Sequence, residues 1–458
     1  MIYPKTVYIH TIGCQMNVYD SERIAGGLMP LGYRQISEPE SADLVILNTC
    51  AIREKAEQKV FSFLGRMAGL KRKNPELLIG VGGCVAQQEG RKILDRAPYL
   101  DVVFGTHAVS RLPALIHQVE TTGGRLVDVA LSNTIQESPA DTISVNPDQI
   151  SRFVTIMQGC DNYCTYCVVP HVRGREMSRS PDRILSEIKT LAESGIREVT
   201  LLGQNVNSYG TKEGLCDFSE LLTRVNGIDG LLRIRFTTSH PKDLSDDLIT
   251  CFNRLDKLCR HIHLPVQSGS TRILSRMNRK YTRDTYLDKI DRLRSACPDI
   301  AITTDIIVGF PGETSVDFEK TLSLIRQVSY DGLFAFMYSD RPNAPAARFS
   351  EKISEAEKAE RLQQVLGLQE ILTLEKNQSL IHSVQTVLVE GVSPRMHASE
   401  VGHEAVPQWY GRTPGHKIIH FPEPERLSTT GNIGRLKKIH IEKAFSHSLW
   451  GRPVSQEE

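Results

Sequence analysis

Three of the ten cysteines in the chain lie close together in the stretch "GCDNYCTYC" at residues 159–167. Cys160, Cys164 and Cys167 are called here the central cysteine set, and they follow a strand-like run that ends in a glycine turn. Two soft-metal sites fit this spacing. With His171 the three thiolates would complete a Cys₃His zinc site. Alternatively, they would hold three corners of a [4Fe–4S] cluster and leave the fourth iron open to a small ligand.

Three further cysteines share a place in the predicted fold rather than a local spacing. Cys14, Cys50 and Cys84, called here the N-terminal cysteine set, each end a strand-like segment that a helical pattern follows. Strands that alternate with helices predict βαβ units and a parallel sheet over residues 1–120. Because the carboxyl ends of parallel strands share one edge, where ligands usually bind, we interpret these thiols as a second metal site.

The rest of the chain divides into a linker and two further regions. Residues 121–148 are polar with scattered Gly, Ser and Pro, and are predicted to be a linker. Over residues 149–375 six strand candidates alternate with helical patterns, which predicts a partial (β/α)6 barrel because a full barrel has eight units. Over residues 377–446 short strands with Gly/Pro turns predict a small all-β barrel. The predicted fold class is therefore α/β, with an all-β barrel at the C-terminal end.

Composition and charge indicate the class of protein, its location in the cell and the surfaces that could contact RNA. With 40% hydrophobic and 24% charged residues among 458, the chain has the composition of a globular protein. No secretory signal pattern and no membrane-spanning apolar run is found, so we expect a cytoplasmic location. Residues 271–294 carry an excess of Lys and Arg that would suit a phosphate-facing surface. In the small barrel we expect RNA phosphates to be contacted by Arg412, Lys417, Arg435, Lys437 and Lys438.

Several longer motifs occur in one order along the chain. They are "TIGCQMN", "GCDNYCTYCVVPHVRGREMSR", "LLGQNVNSYG", "RFTTSHP", "HLPVQSGS", "MNRKYT" and "DIIVGFPGET". The CxxxCxxC pattern after the first strand of a partial barrel resembles the radical S-adenosylmethionine (SAM) enzymes. The other motifs, the N-terminal cysteine set and a terminal barrel similar to a TRAM domain resemble their methylthiotransferase family, and most closely its tRNA-modifying members.

This resemblance implies an enzyme with two [4Fe–4S] clusters and SAM. The central cysteine set would hold the cluster that binds and cleaves SAM, and the N-terminal set would hold an auxiliary cluster that carries sulfur. The methylthio group would go to the adenine of N(6)-isopentenyladenosine next to the anticodon of a tRNA. A low-potential electron donor such as flavodoxin or ferredoxin and a sulfur source are the further partners that the resemblance implies.

Polar residues near the ends of the predicted central strands are candidates for SAM binding, although they could instead cap loops: Gln204, Asn205, Ser239, Gln267 and Asp305. Other functions stay open at this point. The methylthio group could go to another tRNA adenosine or to an aspartate on a small-subunit ribosomal protein. A different class of function is a non-catalytic metal-cluster protein that binds RNA.

Overall fold

The computed structural model of the protein describes residues 4–51, 54–135, 149–393, 408–422 and 432–454. In chain order these residues form a parallel sheet, a partial barrel and a small closed barrel, so the predicted α/β fold class is confirmed. Within these ranges no helix is both long enough and apolar enough to cross a lipid bilayer.

The first region is a six-stranded parallel sheet. Its strands are β1 (Lys5–Thr11), β2 (Tyr33–Gln35), β3 (Leu44–Thr49), β4 (Leu78–Gly83), β5 (Val102–Phe104) and β6 (Leu126–Asp128). Its helices are α1 (Gln15–Leu28), α2 (Glu54–Lys73), α3 (Cys84–Glu89), α4 (Arg91–Arg96) and α5 (Leu112–Thr122). The strand order is β2-β1-β3-β4-β5-β6, so the three strands that precede the N-terminal cysteine set are direct neighbours.

The central strand β3 explains why this sheet is covered on both faces. Val45 and Leu47 enter one hydrophobic core, and Leu44 and Ile46 enter another. Alternate residues of a strand point to opposite faces, so the two cores lie on opposite sides of the sheet. Every residue of β3 is buried, and a continuous apolar run of this kind is typical of a parallel strand between two layers of helices.

Strand β6 corrects part of the predicted linker. Leu126–Asp128 pairs in parallel with β5 and forms an edge of the sheet, so the linker prediction for 121–148 is wrong at these positions. Three residues are too few to show the alternation of apolar and polar side chains that marks a strand in a sequence. Residues 136–148 of the predicted linker lie outside the described residues.

The middle region is the predicted partial barrel. Its strands are β7 (Ser151–Thr155), β8 (Met157–Gln158), β9 (Met177–Ser178), β10 (Glu198–Leu202), β11 (Arg233–Phe236), β12 (His261–His263), β13 (Ala301–Val308) and β14 (Gly332–Met337). Its helices are α6 (Val169–Val172), α7 (Pro181–Glu193), α8 (Phe218–Asn226), α9 (Asp246–Arg254), α10 (Thr271–Arg276), α11 (Arg283–Ala296) and α12 (Ser315–Val328).

Six of these strands are parallel and form two three-stranded sheets, β11-β10-β7 and β12-β13-β14. A parallel bridge between Ile234 and Leu258 joins the two sheets on the side of β11 and β12. The barrel therefore runs β7-β10-β11-β12-β13-β14 and has two outer strands, β7 and β14. Strands β8 and β9 pair separately as a short antiparallel ribbon beside it.

A long helix leads to the closed barrel. Helix α13 (Glu355–Gln378) begins at Ser354, whose hydroxyl accepts the backbone N–H of Glu357 at 3.2 Å. The barrel strands that follow are β15 (Val384–Val392), β16 (Gln408–Arg412), β17 (Ile418–Pro422), β18 (Leu436–Ala444) and β19 (Leu449–Pro453). They close in the order β15-β16-β17-β19-β18, so the predicted small all-β barrel is confirmed.

The N-terminal sheet packs on the carboxyl end of the partial barrel. Val168 and Val172, from the segment after β8, belong to a core of the N-terminal sheet. The Thr106 hydroxyl donates to the carbonyl oxygen of Val172 at 2.6 Å. Close by, Arg173 donates through Nη2 to Oδ2 of Asp20 at 2.8 Å, and both side chains are buried.

The small barrel packs on the opposite, amino end of the partial barrel. Arg235 on β11 is buried and donates through Nε to Oε2 of Glu198 at 2.9 Å. Its two Nη atoms donate to the carbonyl oxygens of Thr413 and Pro414, at 2.8 Å and 3.0 Å. One guanidinium therefore joins two strands of the partial barrel to a loop of the small barrel.

We expect Arg235→Ala to destabilise the protein strongly. The change leaves the buried carboxylate of Glu198 without its partner, and breaking a buried ion pair costs about 3–5 kcal/mol. Urea unfolding and limited proteolysis of the small barrel are the measurements. Arg260→Ala is the matched control, because Arg260 pairs with Asp299 on the surface, with both side chains more than half exposed, and such a pair contributes about 1 kcal/mol or less. Equal urea midpoints for the two variants would contradict the assigned role.

Candidate functional site

One cavity of about 420 Å³ lies where the N-terminal sheet meets the carboxyl end of the partial barrel. Both cysteine sets contribute to its wall: Cys14 and Cys84 on one side, and Cys160, Cys164 and Cys167 on the other. The sequence predicts each set at its own strand edge. The structure adds that the two edges face each other across a shared space.

Strand ends position the N-terminal cysteine set. Cys14 is the residue before the first turn of α1, Cys50 follows β3, and Cys84 begins α3. Gly83 lets β4 turn directly into α3, because its φ is 90° and a side chain there would come within 2.2 Å of the Thr49 carbonyl oxygen. Cys50 is buried and its thiol is hydrogen-bonded with that of Cys14.

The electrostatic surroundings differ between two thiols of this set. The pKa of Cys14 is lowered to about 6, first by the hydrogen bond with Cys50 and also by the charge of Arg173, against the opposing effect of burial. Burial raises the pKa of Cys84, and Arg173 partly offsets that rise. A buried cation beside these sulfurs stabilises their ionised form, which is the form that binds metal.

A glycine turn positions the central set between β8 and α6. Gly159 has a φ of 77°, and a side chain there would meet the Arg175 carbonyl oxygen at 2.0 Å. Burial raises the pKa of Cys160 to about 11 and that of Cys167 to about 12. Such thiols are protonated at neutral pH, so a metal group that binds them must displace their protons.

The structure does not place His171 where it could be the fourth ligand of a zinc ion bound by the central cysteine set. His171 lies on α6 with its side chain exposed and is not part of the cavity wall. Across the described ranges, no three His, Cys, Asp or Glu side chains converge closely enough to hold a single metal ion. A [4Fe–4S] cluster binds each cysteine to a different iron, so its ligands do not have to meet at one point.

Four of the five predicted cofactor-binding residues reach the cavity. Gln204, Ser239, Gln267 and Asp305 line its wall. The Gln204 side-chain oxygen also accepts the backbone N–H of Gly159 at 2.5 Å, so it supports the loop that carries the central cysteine set.

Asn205, the fifth predicted cofactor-binding residue, lies outside the cavity wall. Its Nδ2 donates to Oδ2 of Asp243 at 2.7 Å and to the Ser208 hydroxyl at 3.0 Å, and its Oδ1 accepts the backbone N–H of His240 at 3.1 Å. The residue is 1% exposed and is not part of the cavity wall. Asn205 therefore holds loops together, and the structure does not bring it to the cavity with the other four candidates.

Two polar atoms of the cavity wall lack a partner within the described part of the chain: Ser239 Oγ and His240 Nε2. Burial and the nearby Arg279 lower the pKa of His240 to about 2, so its ring is neutral. Its Nδ1 accepts the backbone N–H of Lys242 at 3.2 Å, which assigns the ring proton to Nε2. A hydroxyl and an N–H group that are buried without a partner in the chain need one from outside it, either a bound ligand or a water molecule.

The wall residues that sequence analysis missed include three basic side chains: Arg173, His240 and Arg279. Each lies within a motif that carried the family resemblance, namely "CVVPHVRGRE", "RFTTSHP" and "MNRKYT". Position in those motifs was the one signal available, because nothing in residue type or spacing distinguishes these side chains from surface cations and loop residues.

The residues predicted to contact RNA separate into two groups. Lys417 is mostly buried, with Nζ 3.2 Å from Oδ1 of Asp331, and Arg412 is ion-paired with Glu390. Internal carboxylates pair with both side chains, and their contact with RNA stays a prediction. The remaining three lie at the start of β18, where two of them are exposed: Arg435, Lys437 and Lys438.

Part of the basic segment 271–294 is paired with acids. Acids from other elements pair with three of its arginines: Arg272 with Asp317, Arg276 with Glu351, and Arg292 with Asp246. These pairs reduce the charge excess of the segment, and its contact with phosphates stays a prediction. The local charge excess is visible in the sequence, but the acids that balance it are more than 40 residues away along the chain.

An aromatic stripe crosses the outside of the small barrel. It consists of Tyr410, His420 and Trp450, which are neighbours across β16, β17 and β19. Lys443 of β18 lies opposite Trp450, with Nζ 5.6 Å from the ring centroid, and the Arg452 guanidinium is 5.8 Å from the same ring. Partly exposed rings beside cations are the composition of a surface on which nucleic-acid bases stack.

Two family models match the chain. Residues 6–105 match a family described as uncharacterized protein family UPF0004, and residues 154–325 match the radical SAM superfamily. The solved structure of a radical S-adenosylmethionine methyltransferase from Kitasatospora setae is similar with a TM-score of 0.56 over 75% of each chain, and its 12% identity supports the fold alone. The fold and the central cysteine set thus define a radical SAM protein.

Full-length relatives identify the family within that class. A tRNA-2-methylthio-N(6)-dimethylallyladenosine synthase from Desulfosudis oleivorans is 54% identical over 99% of this chain and 98% of its own. One of the same name from Geotalea uraniireducens is 49% identical over 98% and 99%. The chain belongs to the family of tRNA-2-methylthio-N(6)-dimethylallyladenosine synthases.

The residues present fit the groups that radical SAM proteins use, which are SAM and a [4Fe–4S] cluster. The three cysteines of the central set reach the cavity, and three thiolates would leave the fourth iron of a [4Fe–4S] cluster open to a small ligand. The unpartnered Ser239 and His240 atoms add one hydroxyl and one N–H donor for a polar ligand.

We expect the two cysteine sets to load iron independently. Cys50→Ala and Cys160→Ala should each retain about half of the wild-type iron, because each removes one ligand from a different three-cysteine site. Iron and acid-labile sulfide per chain, measured after anaerobic reconstitution, are the readouts. Cys216→Ala is the control and should retain all the iron, because Cys216 packs against the core of the partial barrel. Full iron content in Cys50→Ala would refute the N-terminal site.

Proposed function

We propose that the protein transfers a methylthio group to the adenine of N(6)-isopentenyladenosine beside the anticodon of a tRNA. The observation that carries the proposal is the shared cavity, in which both cysteine sets border one space. Methylthio transfer needs sulfur and a reactive carbon centre at the same substrate atom, and two clusters across one cavity meet that need. The full-length similarity to synthases of this name supports the choice of substrate.

In this proposal the chain supplies binding and shielding. When bound, SAM and a cluster on the central set supply a radical able to remove hydrogen from an unreactive C–H bond, and a second cluster on the N-terminal set supplies sulfur. Ser239 and His240 would hold the polar groups of SAM, and Gln204 would hold the loop of the central set. The N-terminal sheet covers the carboxyl end of the partial barrel and keeps water from the reactive atoms. The cofactors would supply the bond-breaking chemistry, so the chain's part is to bind and shield them.

On β13 the small barrel and the cavity lie four residues apart. Ala301, at the start of the strand, lies beside Gly415 of the small barrel, and Asp305 lines the cavity, a separation of about 13 Å at 3.3 Å per residue. An RNA bound on the small barrel would therefore have the cavity within reach of its loop, where an unpaired base is extruded at low cost.

The cavity also has an apolar wall suited to the prenyl group. Phe334 and Phe336 line it from β14, an outer strand of the partial barrel, and Phe334 is 58% exposed. Burying methylene groups against such rings contributes about 0.8 kcal/mol each, so the five-carbon chain adds affinity for the modified base.

The remaining partners belong to this proposal as chemical classes. A one-electron donor of low potential, such as flavodoxin or ferredoxin, would reduce the cluster on the central set, and a sulfur source would restore the auxiliary cluster after turnover. A tRNA substrate supports the cytoplasmic location that belongs to this proposal.

Anaerobic turnover with nucleoside mass spectrometry tests the proposed function. We expect 2-methylthio-N(6)-isopentenyladenosine from prenylated tRNA, and a rate at least about tenfold lower on matched tRNA without the prenyl group, because the apolar contact is lost. Equal rates would remove the prenyl requirement. Methylthiolation of the small-subunit ribosomal protein, with no methylthiolated nucleoside in the tRNA, would contradict the assignment of tRNA as the substrate.

The RNA surface of the small barrel is tested by separating stacking from charge. We expect Trp450→Ala to weaken tRNA binding by about 1–3 kcal/mol without changing its salt dependence, because a stacking contact is lost. Lys443→Ala or Lys438→Ala should reduce the salt slope by about one. Arg326→Ala is the control, since Arg326 is an exposed cation of the partial barrel that pairs with Glu319. Unchanged affinity in Trp450→Ala would exclude stacking on the stripe.

A further inference from the structure

Arg279 places a buried positive charge against one sulfur of the central set. The residue is 4% exposed. Its Nη1 lies 3.7 Å from Sγ of Cys164 and 3.4 Å from the Tyr166 hydroxyl. Its Nε donates to the Tyr281 hydroxyl at 2.9 Å, and its Nη2 donates to the Pro265 carbonyl oxygen. The guanidinium is thus fixed on several sides, with one edge toward the cysteine.

No carboxylate balances this charge. Arg173, Arg235 and Arg361 are similarly buried, and each has a carboxylate oxygen within 2.9 Å. In the part of the chain that the structure describes, Arg279 has no ion-pair partner, and its acceptors are hydroxyls, a carbonyl and the Cys164 sulfur. Arg233 is equally buried and is satisfied by two backbone carbonyl oxygens, so the feature that distinguishes Arg279 is the cysteine sulfur among its acceptors. Negative charge on that sulfur would offset the cost of burying the guanidinium.

We propose that Arg279 raises the reduction potential of the [4Fe–4S] cluster that the central cysteine set would hold. The inference rests on the proposed function, because that function places the cluster there. The oxidised core with three thiolates carries one net negative charge. Taking up one electron from a low-potential iron–sulfur or flavin donor gives it two, with no bond made or broken at Arg279.

The direction of the effect follows from charge. A fixed cation attracts the doubly negative cluster more strongly than the singly negative one, and it does so most effectively in a buried site. A hydrogen bond to a ligating sulfur acts in the same sense, because net charge and hydrogen bonds to sulfur both set cluster potentials. Arg279 is therefore a positioning residue that makes electron uptake easier, and it does not itself react.

The test is a potentiometric titration followed by EPR, without SAM or tRNA. The Cys50→Ala protein is used so that only the cluster of the central set titrates. Adding Arg279→Gln should lower its midpoint potential by about 59 mV or more, which corresponds to a tenfold change in the one-electron equilibrium. Adding Arg279→Lys instead keeps the positive charge but removes the planar guanidinium group. The midpoint potential should then decrease by less than in the Arg279→Gln variant. This second variant also keeps the test decisive if the Gln variant fails to load its cluster.

Arg260→Gln in the same protein is the matched control, because it removes an exposed arginine that pairs with Asp299. We expect its midpoint potential to equal that of the Cys50→Ala protein. An unchanged potential in both Arg279 variants would overturn the proposal, and weaker SAM binding with that unchanged potential would assign Arg279 to the cofactor instead. The titration needs no methylthio transfer, so a wrong substrate assignment leaves its result intact, whereas failure of the central set to load a cluster would refute the proposed function.

Discussion

The buried ion pair between Arg173 and Asp20 is the interaction on which the arrangement of the site depends. It joins the segment after the central cysteine set to α1, the helix that begins directly after Cys14. Both partners are buried, so separating the two regions would leave an unpaired charge in a low-dielectric interior, which is strongly unfavourable. Because the same guanidinium also lies close to Cys14 and Cys84, one side chain couples the docking of the N-terminal sheet to the ionisation of its thiols.

Strand direction then gives the two ends of the partial barrel different roles. The carboxyl ends carry the loops with the central cysteine set, and they meet the carboxyl edge of the N-terminal sheet, so the two candidate metal sites share a cavity. The amino ends are covered by the small barrel through Arg233 and Arg235, whose guanidinium groups donate to its backbone carbonyls. The cavity and the small barrel therefore lie toward opposite ends of the partial barrel.

The sequence predicts the features that depend on local pattern, and it fails where distant contacts decide. Cysteines at strand ends are found because periodicity places the ends of strands, and parallel pairing brings those ends together. The position of Asn205 outside the cavity wall could not be predicted, because a polar loop residue faces either a ligand or its own loops, and only the fold shows its bonds to Asp243 and Ser208. The ion pair of Lys417 could not be predicted either, because Asp331 is distant in the chain. Arg279 is missed because an arginine without a partner is visible only once its surroundings are known.

Iron anomalous scattering from anaerobically grown crystals of the reconstituted protein tests the central claim most directly. That claim is that two iron–sulfur sites border one cavity, at which the substrate base is modified. We predict two separate groups of iron peaks, one at Cys14, Cys50 and Cys84 and one at Cys160, Cys164 and Cys167, with the same cavity between them. Iron at the central set alone, or a second group of peaks outside this cavity, would contradict the account.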